Sequence, residues 1–302
     1  MNKLIPLISL STISALSTTY AANIFTNAVD TNFNNASNWS EGVLPTNASN
    51  PPGVVNAPSQ LTANYLLANG TAVTDIIVNS TLDTNSFELQ LRSGGVGRSS
   101  DLWIGAGSGN SGTLNVNSGG RIDIAGAGAY MFLGRSFGGD YSGTGFGTVN
   151  FESGSVYQVQ KGFEVTSGLI NFETGVTFDS SPQDFVTLGS NATLMFSELS
   201  GGDASTLTLA GANLNVDAAS KLRVDFTGAT IGETYTLVDN IANAYTNFDQ
   251  SNFIVNGLDP SMSAVLNQNA DSISVSIVAV PEPTSAALLS LAGLALVMRR
   301  RK

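Results

Sequence analysis

The chain contains no cysteine and no histidine. Without cysteine there is no disulfide and no thiol chemistry, so cysteine usage says nothing about the compartment. Without histidine, Ser-His-Asp and Cys-His catalytic arrangements cannot be assembled, and neither can a His-ligated zinc site. No Gly-Lys-Ser/Thr occurs, which excludes a Walker-type phosphate loop. Positive charge is scarce too, with 12 basic residues against 23 acidic ones. Lys3, Arg299, Arg300, Arg301 and Lys302 sit at the two ends. Between Ala22 and Pro281 the balance is therefore 7 − 22 = −15. A body this acidic repels nucleic acid and anionic lipid.

What is present is glycine, 32 residues of it, and a 42% hydrophobic fraction that is enough for a packed core. Asn, Ser and Thr supply most of the polar surface. Mixed with short pieces of Val, Ile and Leu, they predict strands and turns rather than helices.

The opening stretch MNKLIPLISLSTISALSTTYAA has a positive Lys3, an apolar run from Leu4 to Leu16, and small residues after it. That run is too short for a comfortable membrane span and has the layout of a secretory signal peptide. Cleavage after Ala21 places Thr19 and Ala21 at the two small-residue positions. Cleavage one residue later would place bulky Tyr20 there. Residues 1–21 are read as the signal, so the body is exported.

At the other end, Val280-Pro281-Glu282-Pro283 precedes 15 uncharged residues, Thr284 to Met298, and then Arg299, Arg300, Arg301 and Lys302. As a helix the uncharged run spans roughly 22 Å, short of a ~30 Å hydrocarbon core, so it forms a marginal anchor with a basic stop. The two prolines keep the preceding stretch extended, a form that a protease cleft binds as a strand. Motif, apolar segment and basic end, in this order, resemble the PEP-CTERM sorting signal of exported proteins in Gram-negative, polysaccharide-producing bacteria. The resemblance covers about the last 24 residues (279–302). It implies transient insertion in the cytoplasmic membrane, processing near the Pro-Glu-Pro by an exosortase, and arrival at the cell surface or in the extracellular matrix.

The body repeats itself. GTLNVNSGG at Gly112–Gly120 recurs as GTVNFESGS at Gly147–Ser155 and as GLINFETGV at Gly168–Val176; LWIG (Leu102–Gly105) and MFLG (Met131–Gly134) precede the first two copies. In each copy apolar residues alternate with polar ones, and a glycine turn follows. Val149 and Phe151 should share an inward face with Leu114, Val116, Ile170 and Phe172, leaving Asn150 to point outward or serve a turn. A spacing near 21 predicts an all-β fold, a β-solenoid of about eight rungs over residues 61–230. A β-sandwich is the alternative. The regular arrangement loosely resembles the Gly-rich strand repeats of autotransporter passengers, which implies shape and not activity. Residues 22–60, with Trp39 buried over the first rung, are expected to cap the repeats. Residues 231–278 read as closing strands, followed by a short hydrophobic helix.

Two chemistries remain open to such a chain. Paired carboxylates could hydrolyse glycosides, but Asp101, Asp123, Glu152, Glu164 and Glu173 are scattered singly. A calcium-assisted lyase would need an acidic cluster beside Arg121, Arg135 or Lys161, and none accompanies them. Trp103 and Phe132 occupy matching positions, as do Phe151 and Phe172. Each pair is read as an internal ladder in preference to a row of sugar-stacking rings. The expectation is a non-catalytic structural or adhesive protein without a cofactor. Its partners would be the secretion machinery, the exosortase and an exopolysaccharide, and not nucleic acid. A carbohydrate-binding protein and a polysaccharide-degrading enzyme are the alternatives.

Overall fold

The computed structural model describes residues 22–281 apart from 46–51, 68–74, 93–99, 126–128, 139–141, 180–181, 183, 210–211 and 243–247. The molecule is nearly all strand, 55% of it, with almost no helix. Two single-turn 3-10 segments, Ala36–Asn38 and Gln250–Asn252, are the helical elements among the described residues.

The expected β-solenoid needs correcting. Ten strands form one hydrogen-bonded path. It runs from Asn23–Phe25 through Gly53–Val55, Ile76–Val78, Leu102–Ile104 and Met131–Leu133 into the long strand Gly162–Glu173. It then returns through Phe146–Phe151, Ser111–Val116 and Thr81–Asp83 to Ser59–Gln60. Two rows of parallel strands are thus one sheet folded over on a shared strand, a parallel half-barrel rather than a clear solenoid. The physical reason lies in the strands that join the rows. Gly162–Glu173 and Phe185–Ser200 continue through the corner at which shorter strands stop. Nor is the spacing regular. Residues hydrogen-bonded from tier to tier lie 32, 35, 24, 28 and 31 positions apart at successive places along the chain. The sandwich alternative fails as well, because the described body strands pair with one another in parallel, and antiparallel strand pairs occur among the described residues in the last sheet, with isolated antiparallel bridges elsewhere.

Inside the fold the alternation works as the repeats suggest. Leu114, Val149, Ile170 and Leu194 face one another across neighbouring strands, as do Val116, Phe151, Phe172 and Phe196, and all eight are fully buried. Phe151 stacks on Phe172 with ring centroids 5.1 Å apart, and Tyr157 meets Phe151 edge-on at 5.4 Å. A second parallel sheet closes the core from Tyr65–Leu67 through Glu88–Arg92, Arg121–Ala125 and Val156–Val159 to Thr177–Phe178, burying Leu89, Ile122, Ile124, Tyr157 and Val159.

The repeated glycines have two separate causes. Gly105 and Gly134 both turn the chain at φ +66, and a Cβ at either would lie 2.0 Å from a backbone oxygen. Gly147 instead permits close approach, since a Cβ there would meet the Ile104 carbonyl oxygen at 2.5 Å and Leu133 at 2.9 Å.

Near the N-terminus, Trp39 is buried against Phe33 and Phe25 at 5.0 and 5.4 Å and donates from its indole to the Phe33 carbonyl. Buried Asn38 accepts from the amides of Val29 and Asp30 and donates to Asp30, so this loop closes on its own side chains. At the other end Leu207–Thr208, Thr234–Asp239, Ile273–Ala279 and Met262–Gln268 form a four-stranded sheet. The expected C-terminal helix lies outside the described residues. Among those described, no helix is long and apolar enough to cross a membrane.

Candidate functional site

Parallel sheets usually have both faces covered by helices. Among the described residues no helix covers the outer faces, and their side chains satisfy one another from tier to tier. Asn115 donates to Asp83 at 2.7 Å, and Asn150 donates to Asn115 at 2.9 Å. Asn171 stands in register with Asn150 and accepts from Ser197 at 2.9 Å. Asn150 is accordingly half-buried in a ladder of amides, more enclosed than its expected outward position.

The turns after these strands stack in the same way. Asn117 accepts from the Asn85 amide and donates to Glu152 at 3.0 Å. Glu152 accepts from the Ser118 amide, and Glu173 accepts from the Ser153 amide at 3.0 Å. Each side chain caps the turn of the preceding tier. Burial pushes the Glu173 carboxyl above the usual carboxylate range, and the negative charges of Glu198 and Glu152 add to the shift.

A second aromatic group lies outside the main core. In Leu102–Ile104 and Met131–Leu133 the flanking residues point inward, while Trp103 and Phe132 point to the opposite face. They pack 4.4 Å apart, and the edge of Phe137 closes on Trp103 at 5.0 Å. The Arg135 guanidinium lies 4.6 Å over Phe132 and is bound to Glu164 at 2.7 Å. Trp103 and Phe132 are therefore a ladder, but an outer one, and their expected place in the core is corrected. A run of three apolar residues leaves both faces of a strand apolar, which is the signal that alternation alone misses.

Beside this ladder Tyr130 stacks on Phe185, with centroids 4.9 Å apart and planes 10° apart. Gly162 lies between them in register, and its missing side chain lets the two rings meet. The Tyr130 hydroxyl donates to Asp184 at 2.7 Å, and Lys161 donates to the other Asp184 oxygen at 3.0 Å. Desolvation and the Asp184 carboxylate push the Tyr130 phenol up to about 12. The Tyr130 hydrogen bond holds Asp184 below the usual carboxylate range, with Lys161 contributing. Each of these strands carries the pattern of two inward apolar residues before a glycine, in YMFLG and FVTLG. Aligning those pentapeptides would have exposed Tyr130 and Phe185, which the sequence reading missed.

The remaining candidates are dispersed. Asp101 accepts from the Tyr130 amide at 2.9 Å, and Asp75 accepts from the Asp101 amide at 2.8 Å. Burial raises Asp75 to about 7, and the nearby Asp101 charge adds to it. On the second sheet Arg121 is bound to Glu88, Asp179 and Gln158, while Gln90 donates to Asp123 at 3.0 Å. Asp101, Asp123, Glu152, Glu164 and Glu173 thus serve different ladders and do not converge as a pair. Among the described residues no group of three or more acidic side chains could hold a metal ion. Val280 and Pro281 are exposed directly after the strand Ile273–Ala279. Ala21, Glu282, Pro283, Arg299, Arg300, Arg301 and Lys302 lie outside the described residues.

What this surface can do chemically is limited by how fully it bonds to itself. The Phe132 ring is packed against by both Trp103 and Arg135 and is buried. Tyr130 and Phe185 present more of themselves to solvent, but they cover each other. No protein-family model matches the chain, and no curated protein matches it either.

Proposed function

We propose that this is an exported, non-catalytic structural or adhesive protein, an acidic spacer sorted through its C-terminal segment. After signal removal near Ala21, the segment Thr284–Lys302 would hold it in the cytoplasmic membrane. An exosortase would then process it near Pro281-Glu282-Pro283, releasing the body to the cell surface or to an exopolysaccharide matrix.

One observation carries the structural role. Polar side chains are engaged in bonds between tiers, from Asp83–Asn115–Asn150 to Asn117–Glu152. Such an arrangement favours rigidity over chemistry. The acidity of the body keeps copies apart and soluble in a hydrated matrix.

The test is intact-mass analysis of the protein recovered from the surface and medium of its native host. The expected species begins near Ala22 and lacks the segment after the Pro-Glu-Pro region. Recovery of full-length C-termini alone, ending at Lys302, would refute the sorting step. A second reading, carbohydrate binding, is favoured by the half-exposed Tyr130, Phe137 and Phe185. Saturable binding to purified polysaccharide that is lost in Tyr130→Ala would establish it over the spacer role.

A further inference from the structure

Nine large apolar side chains are exposed among the described residues, and four of them, Ile231, Val265, Val278 and Val280, belong to the last sheet and its approach. Along Ile273–Ala279 the alternation sends Ile273, Val275 and Ile277 inward, so Ser274, Ser276, Val278 and then Val280 share the outer face. Val265 lies opposite Ser276, and Ser263 opposite Val278, which sets Val265 diagonally beside Val278. The Gly232 amide donates to the Ile277 carbonyl at 2.9 Å and brings Ile231 alongside.

The same face is uncharged. Met262–Gln268 and Ile273–Ala279 contain no charged residue, and Thr234 and Thr236 continue the face with hydroxyls. Acids stand at the ends of these strands, each a hydrogen-bond acceptor, and Asp239 accepts from the Asn240 amide. Glu233 accepts from Thr230 and Tyr235, and Asp259 from Ser261. In a body whose charge balance is −15, this is a surface that can approach an anionic bilayer without strong repulsion.

Its position relative to the tail selects the occupant. The strand ladder reaches Val280, whose amide still donates to the Ser261 carbonyl at 2.8 Å. The uncharged run begins four residues later at Thr284. Four residues span at most about 14 Å. An inserted run therefore holds this end of the body within that distance of the headgroups. We infer that the outer face of the last sheet, with Ile231, Val265, Val278 and Val280, is a membrane-contact surface. It seats the anchored precursor on the bilayer and holds the Pro-Glu-Pro stretch at the lipid interface. This rests on the anchored tail proposed above.

The chain lacks native cysteine, so a single introduced thiol reports one place. The signal-processed chain, residues 22–302, is prepared as Ser263→Cys, which keeps the four apolar residues, and as Val29→Cys, remote in sequence and highly exposed. Each is labelled with a small fluorophore. Each is mixed with phosphatidylcholine–phosphatidylglycerol vesicles, with or without a headgroup spin-labelled lipid. Flotation reports insertion of the tail, and quenching reports proximity of the face. The expected result is flotation of both, with quenching severalfold stronger at 263 than at 29. Adding Val265→Asp and Val278→Asp to Ser263→Cys should leave flotation intact and cut the quenching severalfold. Flotation with equal quenching at both sites, or quenching unchanged by the two aspartates, overturns the contact surface and leaves the anchor standing. Failure to float overturns the anchor and the contact surface together.

Discussion

Phe151 provides the most direct test of how the tiers hold together. Its ring is fully buried, stacked on Phe172 at 5.1 Å and met by Tyr157 at 5.4 Å. A buried phenylalanine removes on the order of 200 Å² from water, which at about 25 cal/mol per Å² comes to roughly 5 kcal/mol as an upper figure. Truncation to alanine keeps a small part of that and leaves a cavity, so Phe151→Ala should destabilise by about 3–5 kcal/mol. Its neighbour Asn150 is the control. Asn150→Ala loses the 2.9 Å bond to Asn115 and should cost about 1 kcal/mol. Asn150→Asp should cost more, about 1–2 kcal/mol, because it sets a carboxylate against the Asn115 oxygen that now accepts. Guanidinium unfolding of the three variants, compared by midpoint at constant slope, decides the matter. A loss below about 1.5 kcal/mol for Phe151→Ala, or a larger one for Asn150→Ala, would refute the inward–outward assignment.

Other perturbations probe separate parts of the fold. Gly147→Ala forces a Cβ to within 2.5 Å of the Ile104 carbonyl oxygen and should cost about 1–3 kcal/mol in thermal unfolding; an unchanged melting temperature would contradict the close approach. The Tyr157 hydroxyl is buried and finds no hydrogen-bond partner, so Tyr157→Phe should stabilise by about 1 kcal/mol, and a clear loss of stability would show that the hydroxyl is bonded. Asp75 is an acid raised to about 7 by burial, so its charged form opposes folding above that pH. The opposition is relieved as pH falls through 7 towards the ordinary carboxylate value, and stability should rise by on the order of 2 kcal/mol between pH 8 and pH 5 from this group. Asp75→Asn, which keeps an oxygen for the Asp101 amide, should flatten that part of the pH profile; an unaltered profile would assign it to other groups.

The inward face was legible because its cause is local. Leu114, Val116, Val149, Phe151, Ile170 and Phe172 sit at alternating positions in near-identical segments, and period-two alternation is a property of one strand. The path of the sheet was not legible. Whether Gly162–Glu173 stops at a corner or runs through it depends on contacts with the strands on both sides. The copies starting at Gly112 and Gly147 are 35 positions apart, but beside a period near 21 that spacing reads as an insertion and not as the length of a tier. The outer aromatic group was half legible. Trp103 and Phe132 stand out in the repeats, but their direction follows from which neighbours point inward. Phe137 and Asp184 join them from segments without repeat character.

The ladders explain how a parallel sheet survives without helices on its outer faces. An exposed parallel face stacks like residues at the strand spacing of about 4.8 Å, so a row of identical charges would repel along its whole length. The observed rows avoid this in three ways. Amides donate and accept in sequence, as in Asn150 to Asn115 to Asp83. Rings pack on rings, as Trp103 does on Phe132. An acid pairs with a base, as Glu88 does in register with Arg121, which also binds Asp179. Where the alternation fails, at Glu152, Glu173 and Glu198, burial first and the neighbouring charges second push the Glu173 carboxyl above the usual carboxylate range. Each carboxylate of the first pair is held instead by a backbone amide of the preceding turn. A ladder of this kind links every tier to its neighbours, so stability accrues along the stack and local damage weakens the adjoining tiers first. Such behaviour is what the proposed spacer role calls for, and the last sheet, whose outer face has hydroxyls and valines in place of charged ladders, is the part of the body that the proposed membrane contact uses.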